Sequence, residues 1–502
     1  MNKTNDLRSL IIVGGGTAGW LSALYADKML NRFSQQVEIT VIDSTEVGII
    51  GVGEATVHSI RYFLQQLDIN ETDFMAKTDA TFKLGIRFDN WCKPNNGEVH
   101  SYWHPFDVQL ASYQGFDVAE LWNLQRHHGY ELPFADVASM SPYLANTGRS
   151  PKISNSKPFD APIPYAYHFD AGKAADYFRS ISMRRGIKHV SDTILDVNCD
   201  KEIILSVASA EHVYQADFFI DCSGFKQLLI RKLAEGNWHS YEEELPCTQA
   251  VAIQTSYAAE QKTNLYTTAT GLKHGWCWQI HLQNRIGNGY VYDPNRLSKV
   301  QAEAELRAFL AIDNSIEATH LNMNVGRCEK TWVGNCVAIG LSSGFIEPLE
   351  STGIYLIEAG LRRLFECGLE VNAANMVKNQ YNQSISALYD ELRDFIVLHY
   401  CLTDREDTDF WASRPDSIQG NKRLLKIVEQ AQHRMITDKE LGRNSCLFNQ
   451  INYRFVLFGM NHSPKQPHPQ LAGLAPSHSE VLLNELLTFY AKQSGQHTVI
   501  SK

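Results

Sequence analysis

The chain has 502 residues, which is too long for one simple core and predicts two to four domain-sized units, interleaved or consecutive. Hydrophobic residues at 44% and charged residues at 20% give the balance of an ordinary globular protein and exclude a disordered or membrane-embedded chain. A net charge of −10 excludes nucleic-acid binding through a broadly basic surface, though not a local basic pocket.

Residues Met1 to Arg8 lead into the first strand with no signal peptide or membrane-spanning run, which predicts a cytoplasmic protein. The ten cysteines, from Cys92 to Cys446, are scattered without Cys-x-x-Cys or paired Cys/His spacing. That spacing predicts reduced thiols and neither a disulfide framework nor a metal site.

The first predicted element is the apolar run Leu10 to Val13, which opens into Gly14-Gly15-Gly16-Thr17-Ala18-Gly19 and a helical pattern carrying Leu21, Leu24, Met29 and Leu30. Strand, glycine turn and helix in this order form a dinucleotide-binding unit. Gly14 allows the tight turn, Gly16 leaves room for a pyrophosphate, and Gly19 lets the helix lie close, so the helix start aims its N–H groups at the phosphates. A second strand, Val37 to Ile42, ends at Asp43, roughly 20 residues on, where an acid holds a ribose hydroxyl. The glycines alone do not separate FAD from NAD.

Gly48, Gly51 and Gly53 punctuate the next stretch, Val47 to Thr56, which is too irregular for strand or helix. Beside a dinucleotide site it reads as a backbone strap against a flat ring. Phe82 to Trp91 alternates with period two, with Phe82, Leu84, Ile86 and Phe88 on one face and Lys83, Gly85, Arg87 and Asp89 on the other. On pattern alone Lys83 is a solvated strand lysine. The cluster Tyr102-Trp103-His104-Pro105-Phe106 is either core or a sandwich for an aromatic ligand.

About 107–164 the sequence reads as an irregular insertion covering the cofactor module. Regular structure returns at Tyr167-His168-Phe169-Asp170, with a helix through Ala174, Tyr177, Phe178 and Ile181. Ala216 to Phe225 is a further strand ending at Gly224, either a buried strand and turn or an edge that closes over a nucleotide. Gly275 to Ile280 and Gly287 to Tyr292 predict two strands across a turn, with Trp276 and Trp278 on one face, packing or lining a tunnel.

Asn335 to Ile354 predicts a strand ending at Gly340, a loop across Pro348, and a helix from about Ser351 that buries Ile354, Ile357, Leu361, Leu364 and Phe365. Ser351 or Thr352 stands where a cap is needed, and the helix start beside Thr352 and Gly353 suits a small anion. Glu350 adjoins that site. The remainder reads as mostly helical, broken at Pro464, Pro467 and Pro469, with a final amphipathic helix through Val481, Leu482, Leu486 and Tyr490.

Together, Gly14-x-Gly16-x-x-Gly19, Gly51-Val-Gly-Glu-Ala-Thr56, the Lys83 strand, Trp276-x-Trp278-x-Ile280 and Glu347-Pro-Leu-Glu-Ser-Thr-Gly353 resemble the flavin-dependent tryptophan halogenases, within the flavoprotein monooxygenase superfamily. The resemblance implies an α/β fold: an FAD-binding, Rossmann-like module of the flavoprotein monooxygenase type with an added, mostly helical C-terminal region. It divides the chain into an FAD-binding and halide-oxidising module over 1–365 and a substrate-side region over 366–502.

The resemblance further implies that reduced FAD, supplied by a separate flavin reductase, and O2 convert chloride or bromide into hypohalous acid, which halogenates an electron-rich aromatic ring. Lys83 then matches the catalytic lysine, and Glu350 the carboxylate beside it. Thr352 and Gly353 match the halide-binding backbone; His104, Phe106 and Ser351 match substrate-pocket positions. Gly14, Gly16, Thr17, Ala18, Gly19, Asp43, Gly53, Glu54, Ala55, Gly340, Leu349 and Ile354 match the cofactor site.

His281 stands where the family's tryptophan block continues with proline. Phe448 to Tyr453 lacks the paired tyrosines and acid that hold the amino-acid moiety in tryptophan-specific members, so an indole or another small aromatic is the expected substrate. The competing readings are a flavin-dependent aromatic hydroxylase and a flavin-binding protein that has lost catalysis. A homodimer is compatible with the sequence; no metal is expected.

Overall fold

Five residues, Ser9–Val13, form the central strand β1 of a computed structural model that describes residues 7–33, 37–44, 53–94, 97–107, 109, 111–442 and 447–500. Gly48, Gly51 and Val52 of the expected strap, together with Cys446, lie outside the described residues. Four of the five β1 residues are buried, as a strand covered on both faces requires.

The chain divides into two units that interleave in sequence. The first comprises Met1–Ala80, Phe169–Glu242 and Asn322–Asp390; the second comprises Thr81–His168, Glu243–Leu321 and Glu391–Lys502. Parallel pairing explains why the first unit draws on three stretches. Neighbouring parallel strands need long crossovers, so the partners of β1 and their neighbours come from distant segments.

Those partners are β2 (Glu38–Asp43), β3 (Lys188–Ser191), β4 (Phe218–Asp221), β5 (Trp332–Val333) and β6 (Cys336–Ala338), in the order β3-β2-β1-β4-β6-β5. All pair in parallel except β5 with β6. Val13 stands opposite both Ile42 and Asp221, so β1, β2 and β4 end level and their loops share one edge of the sheet. In an open α/β sheet that edge is where ligands bind.

Helix α1 (Thr17–Leu30) follows the glycine turn and packs against α2 (Ala171–Arg184) and α3 (Gly353–Glu366). Trp20, Leu21 and Leu24 are fully buried on it, each stabilising the unit by about 1.5–3 kcal/mol. Residue 365 falls inside α3, in the first unit.

In the second unit, the period-two stretch around Lys83 is two strands rather than one. Thr81–Lys83 pairs antiparallel with Ala166–Phe169, whereas Gly85–Asp89 lies between Ser101–Pro105 and Thr267–Gly271 in another sheet. The break is at Leu84, whose N–H donates to the Leu265 carbonyl at 2.7 Å. That sheet continues through Gly275–His281, Ile286–Tyr292 and Gln249–Thr255.

Residues 107–164 are not irregular throughout. They hold the short helices Val118–Arg126, Phe134–Ala138 and Ser141–Asn146, the first capped by Asp117, which accepts from the Ala119 N–H at 2.9 Å. Pieces of five to nine residues are too short to give a clear helical period in sequence. The predicted last helix is Pro476–Ser494, but the described chain goes on to a strand, His497–Val499, paired with Arg149–Ile153.

Candidate active site

Three glycines of the first turn differ in what surrounds them. Gly14 has φ +119°, and a Cβ there would lie 2.2 Å from the Cys222 carbonyl oxygen. A Cβ on Gly19 would lie 1.8 Å from the Gly14 carbonyl oxygen, so only glycine lets α1 start this close to the turn. A Cβ on Gly16 would meet nothing within 4 Å. Gly16 therefore faces open space at the start of α1, where no side chain caps the helix and no acid occupies the first turn. Uncapped N–H groups beside an unobstructed backbone fit a pyrophosphate.

Thr17 is buried and Ala18 partly so. Gly340, at φ +69°, follows β6, and a Cβ there would come within 2.9 Å of the Ala18 side chain. Asp43, at the end of β2, accepts from the His189 ring at 2.6 Å and packs against Gly15. Gly53 has φ +82°; Glu54 and Ala55 are half-buried, and burial pushes the Glu54 carboxyl up to about 7.

Asp221 has a scaffold role on the same edge. Its carboxylate accepts from the Ser223 N–H and hydroxyl, the Leu229 and Ile230 N–H groups, and the Ser342 hydroxyl. It ties the loop after β4 to the loop after β6 with its acceptor capacity filled by protein.

Between Gly340 and α3 the chain makes a short turn, Pro348–Glu350, and then passes through Ser351 at φ +59°, a conformation costly for a non-glycine residue. The strain swings the chain into α3. Thr352 is the N-cap residue, but its hydroxyl makes no capping hydrogen bond, so the expected side-chain cap there is absent. The backbone of Thr352 is already helical, with φ −87° and ψ −5°, whereas a capping hydroxyl needs an extended residue. Glu350, Ser351 and Thr352 are buried and Gly353 is exposed. Leu349 and Ile354 bury their side chains.

In the second unit, Lys83 is 0% exposed, against the solvated position that alternation gives it. Its Nζ lies 5.2 Å from the centre of the Phe106 ring, within cation–π range. The break at Leu84 accounts for the difference, because Lys83 belongs to a different sheet from Arg87.

Three buried residues near Lys83 carry an ordered chain of protons. The Thr81 hydroxyl donates to the His281 carbonyl at 2.6 Å, spending its only proton. It can then only accept from His168 Nδ1, at 3.2 Å, which leaves Nε2 to accept from the Thr267 hydroxyl at 2.9 Å. Burial holds His168 well below its ordinary pKa, with the Lys83 charge and His281 adding to the effect. His168 is thus a neutral imidazole with both nitrogens engaged. It takes no proton from Lys83.

His281 itself extends its strand, opposite Ile286, and burial lowers its ring to about 4. Trp276 and Trp278 are buried with ring centres 6.2 Å apart, and Gly289 makes room for the Trp278 indole.

His104 stands on Ser101–Pro105, against the helix Gln450–Gly459. Phe395, Phe448 and Phe455 surround it, with ring centres 5.5, 5.8 and 6.3 Å away. Asn452 Nδ2 lies 3.0 Å from His104 Nε2. Asp107, next to Phe106, accepts from the Ser139 hydroxyl at 2.5 Å, and burial pushes its carboxyl up to about 6.

Sequence reasoning singled out Lys83, His104 and Phe106 but not Thr81, Thr267 or Asn452, and it noted His168 only as part of a strand. For Asn452 a signal exists, the Asn449-x-x-Asn452 spacing of a capping box; for the two threonines none does, because their partners are distant in sequence. Among the described residues no group of His, Cys, Asp and Glu is arranged to hold a metal ion, and no helix is long and apolar enough to cross a membrane.

The family model for tryptophan halogenase matches residues 9–476. A tryptophan 6-halogenase from Streptomyces toxytricini, SttH, is 37% identical over 95% of this chain and 94% of its own. Its crystal structure superposes with a TM-score of 0.90 at 33% identity, covering 98% of both chains. The tryptophan 7-halogenase RebH from Lentzea aerocolonigenes is 32% identical over 93% of this chain and 92% of its own. BrvH, a flavin-dependent halogenase from Brevundimonas sp. BAL3, gives a TM-score of 0.88 at 31% identity, covering 99% of this chain and 98% of its own.

Proposed function

The chain belongs to the tryptophan halogenase family of flavin-dependent enzymes, and on that premise we propose that it halogenates an indole-like aromatic ring. The observation that carries the reading is Lys83, fully buried against Phe106 and beside an imidazole locked neutral.

FAD would be held by the Gly14–Gly19 turn and Asp43, with Gly53, Glu54, Ala55, Gly340, Leu349 and Ile354 around it; the open space over Gly16 fits its pyrophosphate. When bound and reduced, the flavin supplies, with O2, the oxidising equivalents that turn halide into hypohalous acid. The backbone of Thr352 and Gly353, at the uncapped start of α3, holds chloride or bromide. With no second nucleotide fingerprint in the chain, reducing equivalents come from a separate flavin reductase.

Lys83 acts on the hypohalous acid. Its ammonium donates a hydrogen bond to the oxygen, which draws electrons from the halogen, and low-dielectric surroundings strengthen that bond. A carbon–halogen bond forms, the oxygen–halogen bond breaks, and the oxygen leaves as water with the proton Lys83 supplies. Glu350 takes the proton lost by the ring carbon. His104, Phe106 and Ser351 contact the substrate. The stretch Phe448 to Tyr453 lacks the paired tyrosines and acid that hold the amino-acid moiety in tryptophan-specific members, which favours indole over free tryptophan.

The test combines the purified protein with FAD, a flavin reductase, NADH, O2 and either indole or free tryptophan, with bromide and chloride in parallel. The expected result is a monohalogenated indole identified by its halogen isotope pattern. Halogenated tryptophan with no halogenated indole would overturn the substrate reading, and flavin turnover with no halogenated product from either would overturn the reaction.

A further inference from the structure

We infer that Asn452 is a positioning residue: its side-chain amide fixes the tautomer and ring plane of His104 and thereby influences which ring carbon is halogenated. The second part of the inference rests on the reading that His104 lines the substrate pocket. The first part does not.

A backbone N–H sets the orientation of the amide. Asn449 is the N-cap of Gln450–Gly459, and its N–H donates to Asn452 Oδ1 at 2.9 Å, closing a capping box. A backbone N–H only donates, so the oxygen of the Asn452 amide must face it. The NH2 group is thereby turned to the other side, where His104 Nε2 lies 3.0 Å away. An amide nitrogen only donates, so Nε2 must be the acceptor, and the ring proton of His104 stands on Nδ1. Both groups are buried, which keeps water from competing for either bond.

Strand and helix are joined at a second point four residues back. His100 Nε2 donates to the Gly459 carbonyl at 2.8 Å, and Gly459 leaves room for Tyr102, since a Cβ there would lie 2.4 Å from its ring. Two hydrogen bonds and a close backbone approach hold His104 in one orientation among Phe395, Phe448 and Phe455. A flat substrate packed against such a wall takes its in-plane rotation from that ring. Rotation decides which carbon meets the halogen, since a misplacement of about 1 Å already costs on the order of 10²-fold in rate.

Asn452→Asp tests this without removing the cap. The carboxylate still accepts from the Asn449 N–H and suits the first turn of a helix, but it cannot donate to His104. The full-length protein with FAD bound is labelled with 15N-histidine, and loss of one signal pair in His104→Gln identifies the residue. The wild type is expected to carry its ring proton on Nδ1 with Nε2 unprotonated, and Asn452→Asp to show a protonated Nε2. A wild-type ring protonated at Nε2 would overturn the inference whatever the activity.

The second readout is the ratio of bromoindole isomers, expected to change by at least ~3-fold in Asn452→Asp while FAD affinity and melting temperature hold. A changed Nε2 with an unchanged ratio would overturn the link to ring position. A wild type that gives no halogenated product would instead count against the halogenase reading, leaving the tautomer result to stand on its own.

Discussion

The glycine turn of the first unit and the Lys83 pocket of the second solve opposite problems. At Gly14, Gly16 and Gly19 the sequence works by omission: two positions have no space for a Cβ, and the third leaves space outside the protein for a ligand. Around Lys83 it works by supply, bringing Thr81, His168, Thr267 and the His281 carbonyl from widely separated segments into one buried, directional hydrogen-bond chain. The residue types of the turn therefore follow a local pattern, even though Gly14 is also confined by the distant Cys222 carbonyl, whereas the buried side-chain site is specified only by the whole fold.

The strongest way to break this contrast is Gly19→Ala. Its methyl has no place 1.8 Å from a backbone oxygen, so the turn must open, and a loss of ~3 kcal/mol, the upper end of overpacking costs, is expected in denaturant unfolding together with lost FAD binding. Thr267→Val comes next. It leaves His168 Nε2 buried without its donor, which costs about 1–3 kcal/mol in the same measurement, while FAD affinity stays at the wild-type value.

Gly16→Ala sharpens the comparison from the other side. The added methyl meets no protein atom, so stability should hold within ~0.5 kcal/mol, but it projects toward the pyrophosphate and should weaken FAD binding ~10-fold by fluorescence titration. Equal losses of stability and affinity would show that Gly16 is a packing glycine like the other two.

The one expected gain in stability is at Asp107. Its folded pKa of about 6 lies above the ordinary carboxylate value, so between about pH 4 and 6 the folded state holds a proton that the unfolded state has released. Stability falls as pH rises through that window and the penalty is complete above it. Asp107→Asn removes it, raising stability by ~1–2 kcal/mol at pH 7 and by nothing at pH 3, as paired melting curves would show.

The same division explains what was legible in the sequence. The β1 strand, the turn and α1 were readable from an apolar run, a glycine spacing and a helical period; Gly19 answers to the Gly14 carbonyl and Gly16 to an absent side chain, whereas the Cys222 carbonyl that confines Gly14 lies far along the chain and left no sign in the sequence. The helix after Pro348 was readable from its apolar spacing. Lys83 was misread on pattern because alternation assumes one continuous strand, and the break at Leu84 moves Lys83 into a different sheet. The resemblance of motifs pointed to Lys83; periodicity did not. The short helices of 107–164 were hidden by their length, and His168 was hidden because its two hydroxyl partners are 87 and 99 residues away. Asn452 left a local trace, the capping-box spacing, but nothing in the sequence tied it to His104, 348 residues earlier.

The central claim is that Lys83 acts on the hypohalous acid, and the most direct test is Lys83→Ala assayed beside the wild type with FAD, reductase, NADH, O2, bromide and indole. The variant is expected to bind FAD and reoxidise it at the wild-type rate while brominated indole falls by at least ~100-fold in mass spectrometry. Bromination at or near the wild-type level in that variant would contradict the account.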